Sequence, residues 1–292
     1  MGWCSVATSS SGQYIGAANQ GTGVDGPGTV YISSNFGSTW SQVTSLPTNS
    51  WSSITLSSTG QNLVVVGGGS VLGGGLSSSY VYTSSDYGAM WTQTGILTSW
   101  TGVACNSTGS MIVATSSLGC YISMDFGQTW SLSSQSVNNY IASSGSGQYL
   151  LSGNGILYIS SDYGATWFTW STGFSNPWSG VTMSTSGQYM YAGMQAGGWI
   201  YKSSNYGSTF VQTQAQYADW KGITTDSSGQ FLAGSTCCVG GSVFISSDYG
   251  QTFSVTTAPA SSWLSLASSG SFSLLVAAAV PGLQKYLPYK NN

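Results

Sequence analysis

The chain has 292 residues and an apolar fraction of 41%, enough to fill a core, yet only 4% of it is charged, far below the usual quarter of a soluble chain. Histidine, arginine and glutamate are absent, and the charges come from Lys202, Lys221, Lys285 and Lys290 against Asp25, Asp86, Asp125, Asp162, Asp219, Asp226 and Asp248. That inventory excludes a basic face for nucleic acid, a polybasic membrane patch and a Ser/His/Asp triad.

The N-terminal Met1-Gly2-Trp3-Cys4 has neither a basic stretch nor an apolar run behind it, so no signal peptide is expected in this numbering. A marker follows at once: Trp3, an aliphatic residue three positions on, then a Ser-rich turn with Gly12 nine residues after the Trp. It returns as Trp51/Gly60, Trp100/Gly109, Trp178/Gly187 and Trp220/Gly229, around Gly147 with Asn138 at the Trp position, and as Trp263/Gly270 with the turn shortened by two. Interleaved with it, Ser33-Ser34-Asn35-Phe36-Gly37-Ser38-Thr39-Trp40 recurs from Ser84, Ser123, Ser160, Ser203 and Ser246. Both patterns repeat about every 43 residues, the length of one supersecondary unit.

Within each unit, short aromatic and β-branched runs between Ser/Gly turns read as four strands. In the fourth they are Tyr140 to Ser143, Gln148 to Ser152, Ile156 to Ser160 and a strand opening at Thr166-Trp167-Phe168. Four strands per unit is the pattern of a propeller blade. The expected architecture is all-β, one seven-bladed β-propeller of four-stranded blades over 1–50, 51–99, 100–137, 138–177, 178–219, 220–262 and 263–292. The last unit lacks the Asp-bearing turn after Pro281-Gly282, so it is expected to hold three strands, or to be completed by a partner or by missing sequence. The longest apolar run, Leu274 to Val280, falls far short of the ~20 residues of a membrane-spanning helix, and no membrane insertion is expected.

Ser-x-Asp-x-Gly-x-Thr-Trp resembles the Asp-box, or BNR repeat, of sialidases, certain glucanases, sortilin-like receptors and photosystem assembly factors. The resemblance covers nearly the whole chain and implies a propeller, while the same turn serves enzymes, receptors and assembly factors alike. In such a turn a carboxylate accepts backbone N–H groups, Gly takes a positive φ and the Trp packs between blades. Asn35, Asp86, Asp125, Asp162, Asn205 and Asp248 are therefore expected to be structural, with Met90 losing the Thr hydroxyl and Phe210 and Phe253 the indole N–H.

Removing the turn acids leaves Asp25, Asp219 and Asp226 for chemistry. The sialidase mechanism that the resemblance brings with it needs an arginine triad and a Tyr/Glu pair, which this chain lacks. Asp226 falls in a turn at the same end of the blade as the repeated turns, whereas Asp25 and Asp219 fall in loops at the other end, in blades that are not neighbours. No catalytic residue, cofactor or metal is therefore expected; a two-Asp glycosidase is the weaker alternative. The Gly-rich loops Gln20 to Thr29, Gly67 to Ser79, Gly193 to Gly198 and Gly234 to Ser242 lie opposite the repeated turn, the side where recognition is sought. Trp3, Trp51, Trp100, Trp178, Trp220 and Trp263 either form a stacking platform for neutral glycan there or pack between blades.

The five cysteines show no CxxC spacing. Cys4, Cys105 and Cys120 read as buried thiols, and the neighbours Cys237 and Cys238 as thiols or a vicinal bridge. The expected function is that of a non-enzymatic binding or self-assembling module, extracellular or on a particle surface. Its partners would be proteins or further copies of itself, with a neutral-glycan lectin as the alternative.

Overall fold

A computed structural model describes residues 2–22, 26–70, 76–133, 139–171, 173, 177–237, 240–280 and 282–286. Among them there is no α-helix, and so none long and apolar enough to cross a membrane. The chain is an all-β propeller in which each sheet is an antiparallel meander with its strands in sequence order. In blade four the strands are Tyr140–Ser143, Leu150–Asn154, Ile156–Ser160 and Phe168–Trp170, with Leu150 opposite Ser160 and Ile159 opposite Phe168.

The first strand of each sheet lies innermost and contacts the first strands of both neighbours. Trp3–Thr8, Trp51–Leu56, Trp100–Cys105, Tyr140–Ser143, Trp178–Met183, Trp220–Thr225 and Ser262–Ser268 thus surround the axis. The second strands are the driest: all five residues of Ile15–Asn19, Ile112–Ser116 and Met190–Met194 are buried. A strand buried on both faces reads as a nearly continuous run of small and apolar residues. The core is accordingly divided into seven clusters, each shared by two adjacent sheets.

Two expectations are corrected. Six blades are four-stranded, not seven; the last sheet, Ser262–Ser268, Leu275–Val280 and Gly282–Tyr286, has three strands among the described residues. Register gives the reason. Ile15 faces Ser33 in blade one, and its counterpart Leu275 faces Tyr286, so a tyrosine stands where the other blades place the serine that opens the hairpin to a fourth strand.

The last unit's first turn is also full length. Phe272 N–H donates to Ser269 O at 2.9 Å just as Gly12 N–H donates to Ser9 O. Phe272 therefore holds the glycine position, at φ 58°, a costly conformation for a bulky residue. Its ring stacks on Phe231 at 5.5 Å and is 2% exposed, so burial offsets the strain. Asn138 lies outside the described residues.

Around the axis the first turns are joined by a closed circuit of backbone hydrogen bonds. Ser10 N–H donates to Ser58 O, Ser58 to Ser107, Ser107 to Gly145, Gly145 to Thr185, Thr185 to Ser227, Ser227 to Gly270, and Gly270 back to Ser10, all at 2.8–2.9 Å. The last sheet joins blade one through this circuit, through Thr8 Oγ1 donating to Ser268 O at 2.7 Å and through Val6 N–H donating to Ser265 Oγ at 3.2 Å.

Candidate ligand-binding site

The repeated turn closes the third strand onto the fourth by a fixed set of bonds. In blade four, Ser160 Oγ donates to Asp162 Oδ1 at 2.8 Å and accepts Gly164 N–H at 2.8 Å. Asp162 Oδ1 accepts Thr166 N–H at 2.9 Å, and Oδ2 accepts the Thr166 hydroxyl at 2.5 Å. Asp125 and Asp248 hold the same partners. Asn35 and Asn205 reproduce the set with Nδ2 donating to Thr39 and Thr209 at 2.8 and 2.9 Å. Trp91, Trp130 and Trp167 add a bond from Nε1 to the glycine carbonyl of their own turn.

One feature was not legible beforehand: the aromatic residue after the acid also has positive φ. Phe36, Tyr87, Phe126, Tyr163, Tyr206 and Tyr249 lie between 58° and 62°, each with its N–H on a carbonyl of the first turn of the same blade, as Tyr163 on Gln148 O. Two successive left-handed residues persist only where side-chain bonds over-determine the turn.

These bonds lower the pKa values of the turn acids. The Thr166 hydroxyl and N–H hold Asp162 below the usual carboxylate range, the Thr129 hydroxyl and N–H do so for Asp125, and the Met90 N–H does so for Asp86. For Asp248 burial pulls upward and the Thr252 hydroxyl and N–H outweigh it. A carboxylate with a depressed native pKa stabilises the fold above the unfolded-state pKa and loses that contribution as pH falls through the native value. The urea midpoint is therefore expected to hold near neutrality and drop below about pH 4. Asp162→Asn, which copies Asn35, is expected to shrink the drop; an equal acid loss in wild type and variant would remove these carboxylates as its source.

The acids considered for chemistry fare differently. Asp226 is buried in a first turn, with Oδ1 accepting Phe231 N–H at 3.0 Å and Oδ2 the Ser228 hydroxyl at 2.6 Å. It fills the place that Ser9, Ser57, Ser144 and Ser184 fill elsewhere. Asn106 fills it too, accepting Met111 N–H at 3.2 Å. Asp219 accepts Ala196 N–H and the Cys237 thiol, both at 2.9 Å, and pairs with Lys221 at 3.7 Å. Asp25 and Cys238 lie outside the described residues, so no Asp25–Asp219 pair is placed. Burial pushes Cys4 and Cys120 up to about 12 and Cys105 to about 11, which keeps these thiols protonated and inert. Among the described residues no three Cys or Asp gather as a metal cluster.

The six first-strand tryptophans do not form an open platform. All are buried, Trp51, Trp100 and Trp263 at 0% exposure, because each inserts between two sheets and most meet a third-strand ring edge-on, as Trp178 meets Tyr201 at 5.7 Å and 88°. The axial channel behind them has a volume of about 200 Å³ and is lined mainly by Ser, Thr, Gly and aliphatic residues.

A cavity of about 770 Å³ opens between blades two and three on the side of the repeated turns, not among the glycine-rich loops opposite. Its floor is Leu63, Val64 and Ile112, one wall is Thr83, Thr92 and Thr94, and Asp86, Met90 and Phe126 stand at its rim. Four carboxamides, Gln61, Asn62, Gln93 and Gln128, face it as well.

Local departures from the repeat open this groove. The third-strand residue before the turn serine is Ile32, Ile122, Ile159 and Ile245 in blades one, three, four and six, but Thr83 in blade two. Ile32, Ile122 and Ile159 press terminal carbons against the turn glycine of the next blade, where a Cβ would stand; blade two offers the methyls of Thr83 and Thr94 to Gly127, and blade five, with Lys202 at this position, the Thr213 methyl to Gly250. Met90 replaces the threonine whose hydroxyl reaches Oδ2 of Asp125, Asp162 and Asp248, so Asp86 Oδ2 receives only the Met90 N–H, at 3.1 Å. The outer strand here, Thr92–Thr98, has seven residues where the other blades have two or three. Thr94 Oγ1 donates across the groove to Gly127 O and accepts Trp130 Nε1–H at 3.2 Å. The signal was present in the sequence as a column of the repeat, readable only once the blades are superposed.

No family model matches the chain, and no curated protein matches it in sequence. Among solved structures, the β-propeller domain of Cps50 (Swd1) from Myceliophteria thermophila aligns over 97% of this chain and 96% of its own, at 12% identity and a TM-score of 0.72. YCF48 bound to D1 peptide aligns over 99% and 94%, at 14% identity and a TM-score of 0.68. An ancestral GH74 enzyme aligns over 83% of this chain at 16% identity and a TM-score of 0.65, and the chain spans 37% of that enzyme's length. At such identities the likeness is one of fold alone, and the fold it shares with all three is the β-propeller.

Proposed function

We propose that the chain is an Asp-box propeller acting as a non-enzymatic binding and assembly module, outside the cytoplasm or on a particle surface, whose partners are another polypeptide or further copies of itself. The observation that carries this reading is the chemistry of the outer edges. The outer strands Ser41–Gln42, Thr92–Thr98, Ser131–Leu132, Phe168–Trp170, Val211–Gln212 and Ser254–Val255 contain no charged residue. They expose Leu97, Leu132, Phe168, Val211 and Val255 instead. Edge strands of proteins that stay apart are short or carry charge, proline or a bulge. Five of these are short and Thr92–Thr98 has an irregular register between Thr94 and Thr98, which limits strand-to-strand pairing. Contact would therefore run through the exposed apolar side chains, on a surface with little charge repulsion to hold copies apart. The engagement of Asp125, Asp162, Asp226 and Asp248 within their turns supports the non-enzymatic part. Binding of a peptide by YCF48, a propeller of the same fold, is compatible with a polypeptide partner.

Light scattering across a hundredfold concentration range is the test. Wild type is expected to gain mass with concentration and to do so little changed by salt, because the contacts are neutral. The triple variant Leu132→Lys, Val211→Lys, Val255→Lys is expected to remain a monomer. A wild-type chain that stays monomeric throughout and captures no polypeptide would sink the reading.

A further inference from the structure

We infer that the groove between blades two and three is a binding site for a short neutral oligosaccharide. In a repeat protein each unit solves the same packing problem, so a unit that abandons the common solution at several positions around one cavity has a local reason for it. Blade two gives up the isoleucine that plugs three other junctions, gives up the threonine hydroxyl that saturates its turn acid, and lengthens its outer strand. All three changes face the same space. The first two forgo contacts or a hydrogen bond that most sibling units keep, while the third extends the pairing of the outer strand to Thr98 opposite Ser79.

The chemistry left in the groove selects the ligand. Its volume lies in the range of roughly 300–1,000 Å³ typical of small-molecule sites. Asp86 is held ionised, and its Oδ2 has acceptor capacity that the other turn acids have spent on threonine. Carboxamides both donate and accept, as sugar hydroxyls do. The Phe126 ring, 46% exposed, and the Met90 side chain, 74% exposed, offer apolar surfaces for the C–H face of a pyranose. No lysine lines the groove, so an anionic sugar finds no counter-charge, and a single carboxylate amid neutral groups and an apolar floor suits a neutral polyol better than a cation. The site lies on the opposite side from the glycine-rich loops and involves none of the six buried tryptophans.

The experiment titrates the full chain with a panel of neutral oligosaccharides, read by calorimetry and by ligand-observed NMR, alongside an anionic oligosaccharide and oligolysine. Wild type is expected to bind at least one neutral member and neither charged probe. Thr83→Ile restores the residue of four sibling blades; it is expected to fold at least as stably and to weaken binding by about tenfold or more as its bulk narrows the groove from the wall. Met90→Thr, which returns a hydroxyl to Asp86 Oδ2, is expected to weaken binding less, and Asp162→Asn, in a distant blade, not at all. Unchanged affinity in a folded Thr83→Ile variant overturns the site. Silence from the neutral panel, or binding of oligolysine displaced by neither variant, overturns the ligand class.

Discussion

A chain ending at Ser261 is expected to lose cooperative folding altogether. Its absent sheet supplies Leu274, Val276 and Ala278 to the cluster shared with blade one, and Trp263, Leu266, Phe272 and Leu275 to the cluster shared with blade six. Burying a large apolar side chain is worth about 1.5–3 kcal/mol, and the partners left behind, among them Trp3, Val6 and Phe231, would be uncovered too. That loss exceeds the ~5–15 kcal/mol by which a domain is usually stable. The axial circuit would also open, leaving Ser227 N–H and Ser10 O without the partners supplied by Gly270. Near-UV circular dichroism, thermal melts and dye binding would read the result. A truncated chain with a sharp melt and a native near-UV spectrum would show that six blades close without the seventh sheet.

Trp178→Ala is expected to cost about 3–5 kcal/mol, the range for deleting a buried tryptophan. Trp178 is 2% exposed, meets Tyr201 at 5.7 Å and Trp170 at 6.4 Å, and backs onto Gly153 of blade four. The more discriminating comparison uses phenylalanine. Among the described residues Trp178 Nε1 has no acceptor, whereas Trp100 Nε1 donates to Ser79 O at 3.0 Å. Trp178→Phe removes volume while also relieving a buried unpaired donor; Trp100→Phe removes volume and strands a carbonyl, adding about 1 kcal/mol or more. Urea titrations should rank Trp100→Phe as the costlier. The reverse order would mean that packing volume alone decides.

How much was legible follows from what each signal measures. The four strands of blade four were placed within two residues because alternating Ser/Gly turns and aromatic runs report burial directly. The last unit misled because its turn was recognised by glycine, and Phe272 does glycine's work with a positive φ secured by stacking on Phe231, an arrangement visible only in three dimensions. The count of seven four-stranded blades was one too many, although the absence of the Asp-bearing turn after Pro281-Gly282 already pointed to three strands as one alternative for the last unit. The first-strand tryptophans were legible as aromatics on an inner strand and ambiguous in exposure, since the same residue type serves a core or a platform. The groove is not legible in what the repeats share, because its defining residues, Thr83 and Met90, are where blade two departs from most of its siblings.

The circuit of turns around the axis has a further consequence. Its links are alike, and among the described residues no strand passes from one end of the chain into the sheet at the other. The joint between the last sheet and blade one is therefore sewn by the same kind of stitch as every other joint, and where the chain is cut is closer to a label than to a structural landmark. Circular permutants with the ends rejoined by a flexible linker and reopened in another loop between blades would have the same links to make, in a different order of synthesis.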